Sequence, residues 1–206
     1  SQMLTPEQLK GAQILKANQL QSSYIKNLGN GKFELSTLPI QAQFSALNGM
    51  QVDDFNADGN LDVLINGNDF GTEVSVGRYD ALNGLLLKGD GKGHFLPATI
   101  LESGIFIPGN GKALVKMKGA DGSYNIVASQ NKGPLKVFTL KQNTRAVDIA
   151  VDEVSGMINY KNGQKAKIEF YQGSSFMSQS SRSFFFNNNI QSLEIINQKG
   201  DKKIIQ

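Results

Sequence analysis

The sequence predicts an all-β protein: partial β-propeller-type repeats, then a small antiparallel β-sandwich or barrel-like domain, with one short helix at the N-terminus. Three observations carry this. Short runs with strand-type composition, such as "SSYIK", "KFELSTL", "LDVLIN", "LLLK", "YNIVAS" and "LKVFTL", recur along the chain. Asn-Gly or Asp-Gly pairs punctuate it at nine places from Asn30-Gly31 to Asn162-Gly163, supplying the positive φ angles that tight hairpins need. Landmarks also return at a near-constant spacing. "NLGNGKFEL" around Phe33 recurs as "KGDGKGHFL" around Phe95, 62 positions on, and "DGNLDVLINGN" from Asp58 recurs as "DGSYNIVASQN" from Asp121, 63 on.

Residues 1–21 form a lead-in. "TPEQ" offers a capping box, with Thr5 as N-cap, Pro6 in the first helical position and Gln8 three residues after the cap. Leu9, Ile14 and Leu15 supply the apolar face of a helix ending near Asn18. Residues 22–141 hold the repeats. Units of this length with several strands each are what propeller blades look like, each burying its faces only against its neighbours. About two units fit, so the chain is expected either to belong to a larger ring or to close its exposed faces in another way. Residues 142–206 lose the repeat and read as strands "RAVDIAV", "GMINYKN", "KAKIEFY", "SRSFFFN", "SLEIIN" and "KKIIQ", an antiparallel sandwich or barrel-like unit.

Composition narrows the chemistry. There is no Cys, which excludes disulfide frameworks, zinc-thiolate sites and thiol nucleophiles. The single histidine, His94, sits among turn glycines in "GDGKGHFLP", a place for a solvated residue rather than a catalyst. No apolar run approaches the roughly 18 to 20 residues of a membrane-spanning helix. The net charge of +3 comes from residues 141–206, with nine basic against six acidic side chains. The lysines of "YKNGQKAKIEF" alternate, as on a solvated strand face, and give no phosphate-binding stripe; nucleic acid is not an expected partner. The chain starts with Ser and carries no signal peptide, which reads as a piece of a longer protein.

The densest chemistry lies in "DFNADGNLDVL". With Asp54 first, Asn56, Asp58, Asn60 and Asp62 occupy alternate positions around Gly59. Carboxylates this close repel unless a positive charge sits among them. Hard oxygen donors converging from alternate positions suit Ca²⁺, with the side chains of Asp54, Asn56, Asp58 and Asp62 and the carbonyl of Asn60 as ligands. An EF-hand requires a bidentate Glu at position twelve, where this chain has Ile65, and a flanking helix, where it has β-rich "VLIN". The alternative is an Asp/Asn-rich turn without metal. Asp53 breaks the alternation and is expected to point away. In the second copy Asp54 and Asn56 map to Met117 and Gly119, so one calcium per chain is expected.

At these residues the chain resembles the FG-GAP, or VCBS, repeats of integrin-like propellers, whose calcium loop runs into an apolar strand; "NGKF" and "GKGHF" resemble the turns between such blades. "INGND" stands where the Gly-Ala-Pro segment of those repeats would be. "EFYQGSSFMSQSSRSFFF" resembles the ASPIC/UnbV module, with Gly173, Phe176, Ser178, Gln179 and Ser180 matching its segment. The resemblance implies an exported bacterial protein, periplasmic, surface-bound or extracellular, serving adhesion or ligand capture. Its partners would be a glycan or surface protein and further repeats of the parent chain.

The segment Gly173 to Ser180 is read as a loop whose side chains satisfy backbone groups and whose Phe176 anchors it to the core, rather than as a contact surface. "GSSF" is not a nucleophile elbow. Asp69, Glu73, Arg78 and Asp80 lie in a long excursion expected to be solvated. No catalytic residue is assigned, and the expectation is a non-catalytic, calcium-stabilised binding or scaffold module. The alternative is an accessory or catalytic part of an exported polysaccharide-acting enzyme.

Overall fold

The structure is a computed structural model that describes residues 5, 7–13 and 15–206. It is all-β. A hairpin joins β1 (Ser23–Gly29) to β2 (Lys32–Thr37) through Asn30 and Gly31, both with positive φ. A four-stranded antiparallel meander follows: β3 (Leu47–Asp53), β4 (Asp62–Gly67), β5 (Leu85–Gly89) and β6 (Phe95–Pro97). After one helical turn, α1 (Ile100–Ser103), come β7 (Gly111–Lys118), β8 (Tyr124–Gln130) and β9 (Lys136–Thr139), a three-stranded antiparallel sheet. Helix α1 is capped by Thr99 and Glu102 in a reciprocal box and stopped by Gly104 in the left-handed region.

The remaining residues form two sheets. β10 (Arg145–Asp148) pairs with β13 (Ser183–Phe186), while β11 (Glu153–Tyr160), β12 (Lys165–Glu169), β14 (Ile190–Asn197) and β15 (Lys202–Ile205) form a sheet in the order β12-β11-β14-β15. Phe184 and Phe186 of β13 pack on Ile158, Leu193 and Ile195 of that sheet, so two layers share one apolar cluster. No barrel closes among the described residues.

The expected N-terminal helix is replaced by turns over residues 7–11; Pro6 and Ile14 lie outside the described residues. The capping box itself forms, with Thr5 N–H donating to Gln8 Oε1 at 2.8 Å and Gln8 N–H to Thr5 Oγ1 at 3.3 Å. Propagation needs a buried apolar face, and Leu9, Leu15 and Leu20 are all exposed.

Strands β3 and β7 pair with β4 and β8, but they escape the sequence pattern because their Asn-Gly pairs serve contacts between sheets instead of turns. Six of the nine Asn-Gly or Asp-Gly pairs place Gly at positive φ, but those at residues 49, 67 and 111 do not, and they lie in β3, β4 and β7. A Cβ at Gly49 would come within 2.7 Å of the Lys112 carbonyl oxygen. Asn66 Oδ1 accepts the Gly49 N–H at 2.9 Å while Asn66 Nδ2 donates to Ala113 O at 3.1 Å. Asn48 Nδ2 likewise donates to Gly111 O at 2.8 Å. In these pairs Gly clears space, and Asn48 and Asn66 stitch adjacent sheets; none of the three makes a turn.

Packing follows the same order. Val63, Ile65, Leu85 and Leu87 face residues 38–42 with Phe95, and Tyr24 of β1 meets the Phe95 ring edge-on at 5.5 Å. On the opposite face of the meander, Leu64 and Leu86 pack against Leu114, Ile126 and Phe138 of the third sheet. Phe185 joins that cluster by stacking on Tyr124 with centroids 4.4 Å apart, which ties the C-terminal sheets to the third sheet.

Candidate metal site

The loop 54–61 joins β3 to β4. Ala57 and Gly59 both adopt positive φ and fold it back sharply. Asp54 is buried and Asp62 is fully buried, Asp54 just after β3 and Asp62 at the start of β4. Asp54 Oδ1 accepts from the Asp58 N–H at 3.1 Å and Oδ2 from the Gly59 N–H at 3.0 Å. Asp58 Oδ1 accepts from the Asn60 N–H at 2.8 Å, and its Oδ2 from Asn56 Nδ2 at 2.9 Å. Asp62 accepts from the Phe55 N–H at 3.1 Å and the Gly89 N–H at 2.9 Å. Asn60 turns its side chain toward Gly91, where a Cβ would lie 2.5 Å from Oδ1.

Asp54, Asn56 and Asp58 are therefore drawn together, while Asp62 closes the loop from its base. Among the described residues no Lys, Arg or His forms an ion pair with Asp54, Asp58 or Asp62. Burial, partly offset by the Gly59 N–H, raises the Asp54 pKa, and the Asp58 charge raises it further. Burial raises that of Asp62 against the Gly89 N–H, again with repulsion from Asp58. Three neighbouring carboxylates, two of them buried and none ion-paired among the described residues, are the hard oxygen donors that a divalent cation would use if it bound here. Among the described residues no group of three or more Asp, Glu or His side chains is arranged to hold a metal ion.

Sequence spacing gave no hint of the C-terminal strands' part here. Asn189 Nδ2 donates to Ala57 O at 2.8 Å, Gln142 Nε2 donates to Phe55 O at 2.8 Å, and Asn187 Nδ2 approaches Asp54 Oδ2 at 3.5 Å. Asn187 and Asn189 flank the turn into β14, where "FNNNI" looks like ordinary turn chemistry. Asp53 turns from the loop toward the third sheet: its Oδ2 accepts from Tyr124 Oη at 2.7 Å and Lys116 Nζ at 3.2 Å.

The segment 174–181 lies along β7. Alternate N–H groups of that strand donate to serine hydroxyls: Leu114 to Ser175 at 3.1 Å, Lys116 to Ser180 at 3.0 Å and Lys118 to Ser181 at 3.2 Å. The serines thus occupy an edge that would otherwise template another strand. Phe176 is not anchored in the core; it is 49% exposed and rims a groove of about 400 Å³ with Val115, Val127, Leu135 and Met177.

The other singled-out residues stay peripheral. His94 Nδ1 sits 2.8 Å from Asp90 Oδ2 on an exposed turn. In the 69–80 excursion Asp69 and Tyr79 exchange backbone hydrogen bonds and Arg78 stacks over Phe70 at 5.0 Å, while Glu73 and Asp80 face solvent.

Fold and loop define a class: an all-β chain of consecutive antiparallel sheets with an acidic strand-loop-strand bend closed over by its C-terminal strands. No protein-family model matches the chain, and no characterised protein matches its sequence.

Proposed function

We propose that this chain is a non-catalytic binding or scaffold module of an exported protein, built from propeller-type sheets of the FG-GAP/VCBS kind and closed by an ASPIC/UnbV-like β domain. Its metal is Ca²⁺, taken by the side chains of Asp54, Asn56, Asp58 and Asp62 with the Asn60 carbonyl. The observation that carries this reading is the burial of Asp54 and Asp62 beside Asp58 with no cationic partner among the described residues. Bound Ca²⁺ would neutralise the repulsion that otherwise opposes closing the bend.

Calcium modules outside the cell bind at about 10⁻⁴ to 10⁻³ M. At millimolar calcium such a site adds roughly 0.4 to 1.4 kcal/mol to folding through mass action. At sub-micromolar calcium it adds almost nothing, which is the physical case for periplasm, cell surface or exterior. The antiparallel meander β3–β6, packed on one face against the next sheet and on the other against residues 38–42 with Tyr24 of β1 at Phe95, supports the propeller-type reading. The ligand class that suits adhesion or capture is a glycan or a surface protein. Further sheets of the same kind would continue the stack.

The test is calorimetric titration of the purified chain with Ca²⁺ after EGTA treatment, beside the Asp58→Asn variant. One site of roughly 10⁻⁴ to 10⁻³ M that the substitution abolishes is expected; absence of binding at tens of millimolar would sink the reading.

A further inference from the structure

The sheets stack in chain order, and the two ends of the stack are exposed in complementary ways. In β1–β2, Ile25 pairs with Leu35; 62 positions on, Leu87 pairs with Pro97. Leu87 is fully buried, whereas Ile25 is 61% and Phe33 63% exposed. The back of the first hairpin thus shows solvent the side chains whose counterparts in the second sheet are covered.

The far end shows the opposite face. Leu64 pairs with Leu86 in the second sheet, and Val127 pairs with Val137 in the third. Leu64 and Leu86 are covered by Ile126 and Phe138 of the next sheet. Ile126 and Phe138 pair as Val63 and Leu87 do one sheet earlier. The interface inside the chain is therefore front on back: Leu64 and Leu86 of one sheet against the Val63/Leu87-type positions of the following one. Val137 is 60% exposed on the last front, beside the groove of about 400 Å³.

We propose that a second copy of this chain supplies the missing sheet, seating the back of its β1–β2 hairpin, with Ile25, Phe33 and Leu35, on the front formed by Val127, Leu135 and Val137. This rests on reading the sheets as one propeller-type series, and it continues an interface the chain already makes with itself. The contact is head-to-tail. Each copy keeps one free front and one free back, so association proceeds to rings or open chains and does not stop at a symmetric dimer. The serines along β7 leave this route open, because they occupy the strand's edge while Val127 and Val137 lie on the sheet's face. Phe176 and Met177 beside the groove extend the apolar front.

Sedimentation velocity across a concentration series tests this, using the chain 1–206 and two variants at exposed positions, Phe33→Glu and Val137→Glu. Wild type is expected to grow in mass beyond two copies, and each variant alone to remain monomeric. An equimolar mixture of the two is expected to form dimers that grow no further, since it contains one intact back and one intact front. Circular dichroism melts confirm that the variants fold. Wild type that is monomeric at its highest attainable concentration overturns the proposal and leaves further sheets of the same polypeptide as the occupant. Association that survives either substitution also overturns it. The series is run with Ca²⁺ and with EGTA: calorimetry judges the metal reading by itself, whatever the association state.

Discussion

The Asn189 side chain donates from Nδ2 to the carbonyl oxygen of Ala57 at 2.8 Å, joining residues 132 positions apart. Ala57 is one of the few non-glycine residues at positive φ among the described residues, so the bond falls on a carbonyl at the left-handed bend of the acidic loop. The C-terminal strands thereby hold the bend from outside while Asp54 holds it from inside.

Replacing Asn189 with Ala removes that donor. The expected loss is about 1 kcal/mol of stability, with faster amide hydrogen exchange confined to residues 55–60. Exchange mass spectrometry reads both; unchanged exchange in the loop would mean that the bend holds itself.

Calcium should raise the melting temperature, and chelation should lower it. Asp58→Asn is expected to cancel that response with little cost in EGTA, because Asp58 bonds only within the exposed part of the loop. Asp62→Ala is expected to lower stability in EGTA as well, by about 1 to 3 kcal/mol per stranded group, since the Phe55 and Gly89 N–H groups lose their acceptor. A calorimetric melt with and without EGTA separates the two effects.

Tyr124 offers a pH signature. Burial first, then the charge of Asp53 and the hydrogen bond to it, raise its pKa well above the ordinary tyrosine value. The folded state therefore holds a proton that the unfolded state gives up near pH 10. Stability from this source is complete below about pH 10 and is lost as pH rises above it. Tyr124→Phe should lose about 1 kcal/mol at neutral pH and show a shallower alkaline decline in chemical denaturation. Tyr160 and Tyr171, also raised, keep some slope in place.

Two glycines with the same sequence signature should respond differently. Gly49→Ala drives a Cβ to 2.7 Å from the Lys112 carbonyl and is expected to cost upward of about 2 kcal/mol by overpacking between sheets. Gly122→Ala meets open space and carries only the positive-φ penalty, about 1 kcal/mol. Urea denaturation of both variants compares them directly; equal costs would refute the distinction between stitching and turning pairs.

The strands with alternating or compact apolar runs, β1, β2, β4, β5, β8, β9 and the C-terminal set, were legible because their periodicity is local. β3 and β7 were not. "LNGMQVD" and "GKALVKMK" are bordered or interrupted by Asn-Gly, which resembles a turn until the neighbouring backbone is seen at Gly49. The N-terminal helix failed for the complementary reason: a sound cap with no surface on which to bury Leu9 and Leu15.

The acidic bend could be located from sequence because its chemistry depends on neighbours two residues apart. Local spacing likewise sufficed for the β class, the hairpin turns and the exclusion of thiol chemistry. What covers the bend could not be read that way: Gln142, Asn187 and Asn189 arrive from 87 or more positions further along the chain. The path of the serine segment along β7 and the open faces at the two ends of the stack have the same origin. Alternation and turn residues report on a strand's own two sides. Which other sheet lies against those sides is settled by packing between distant segments, and that leaves no periodic trace in the chain.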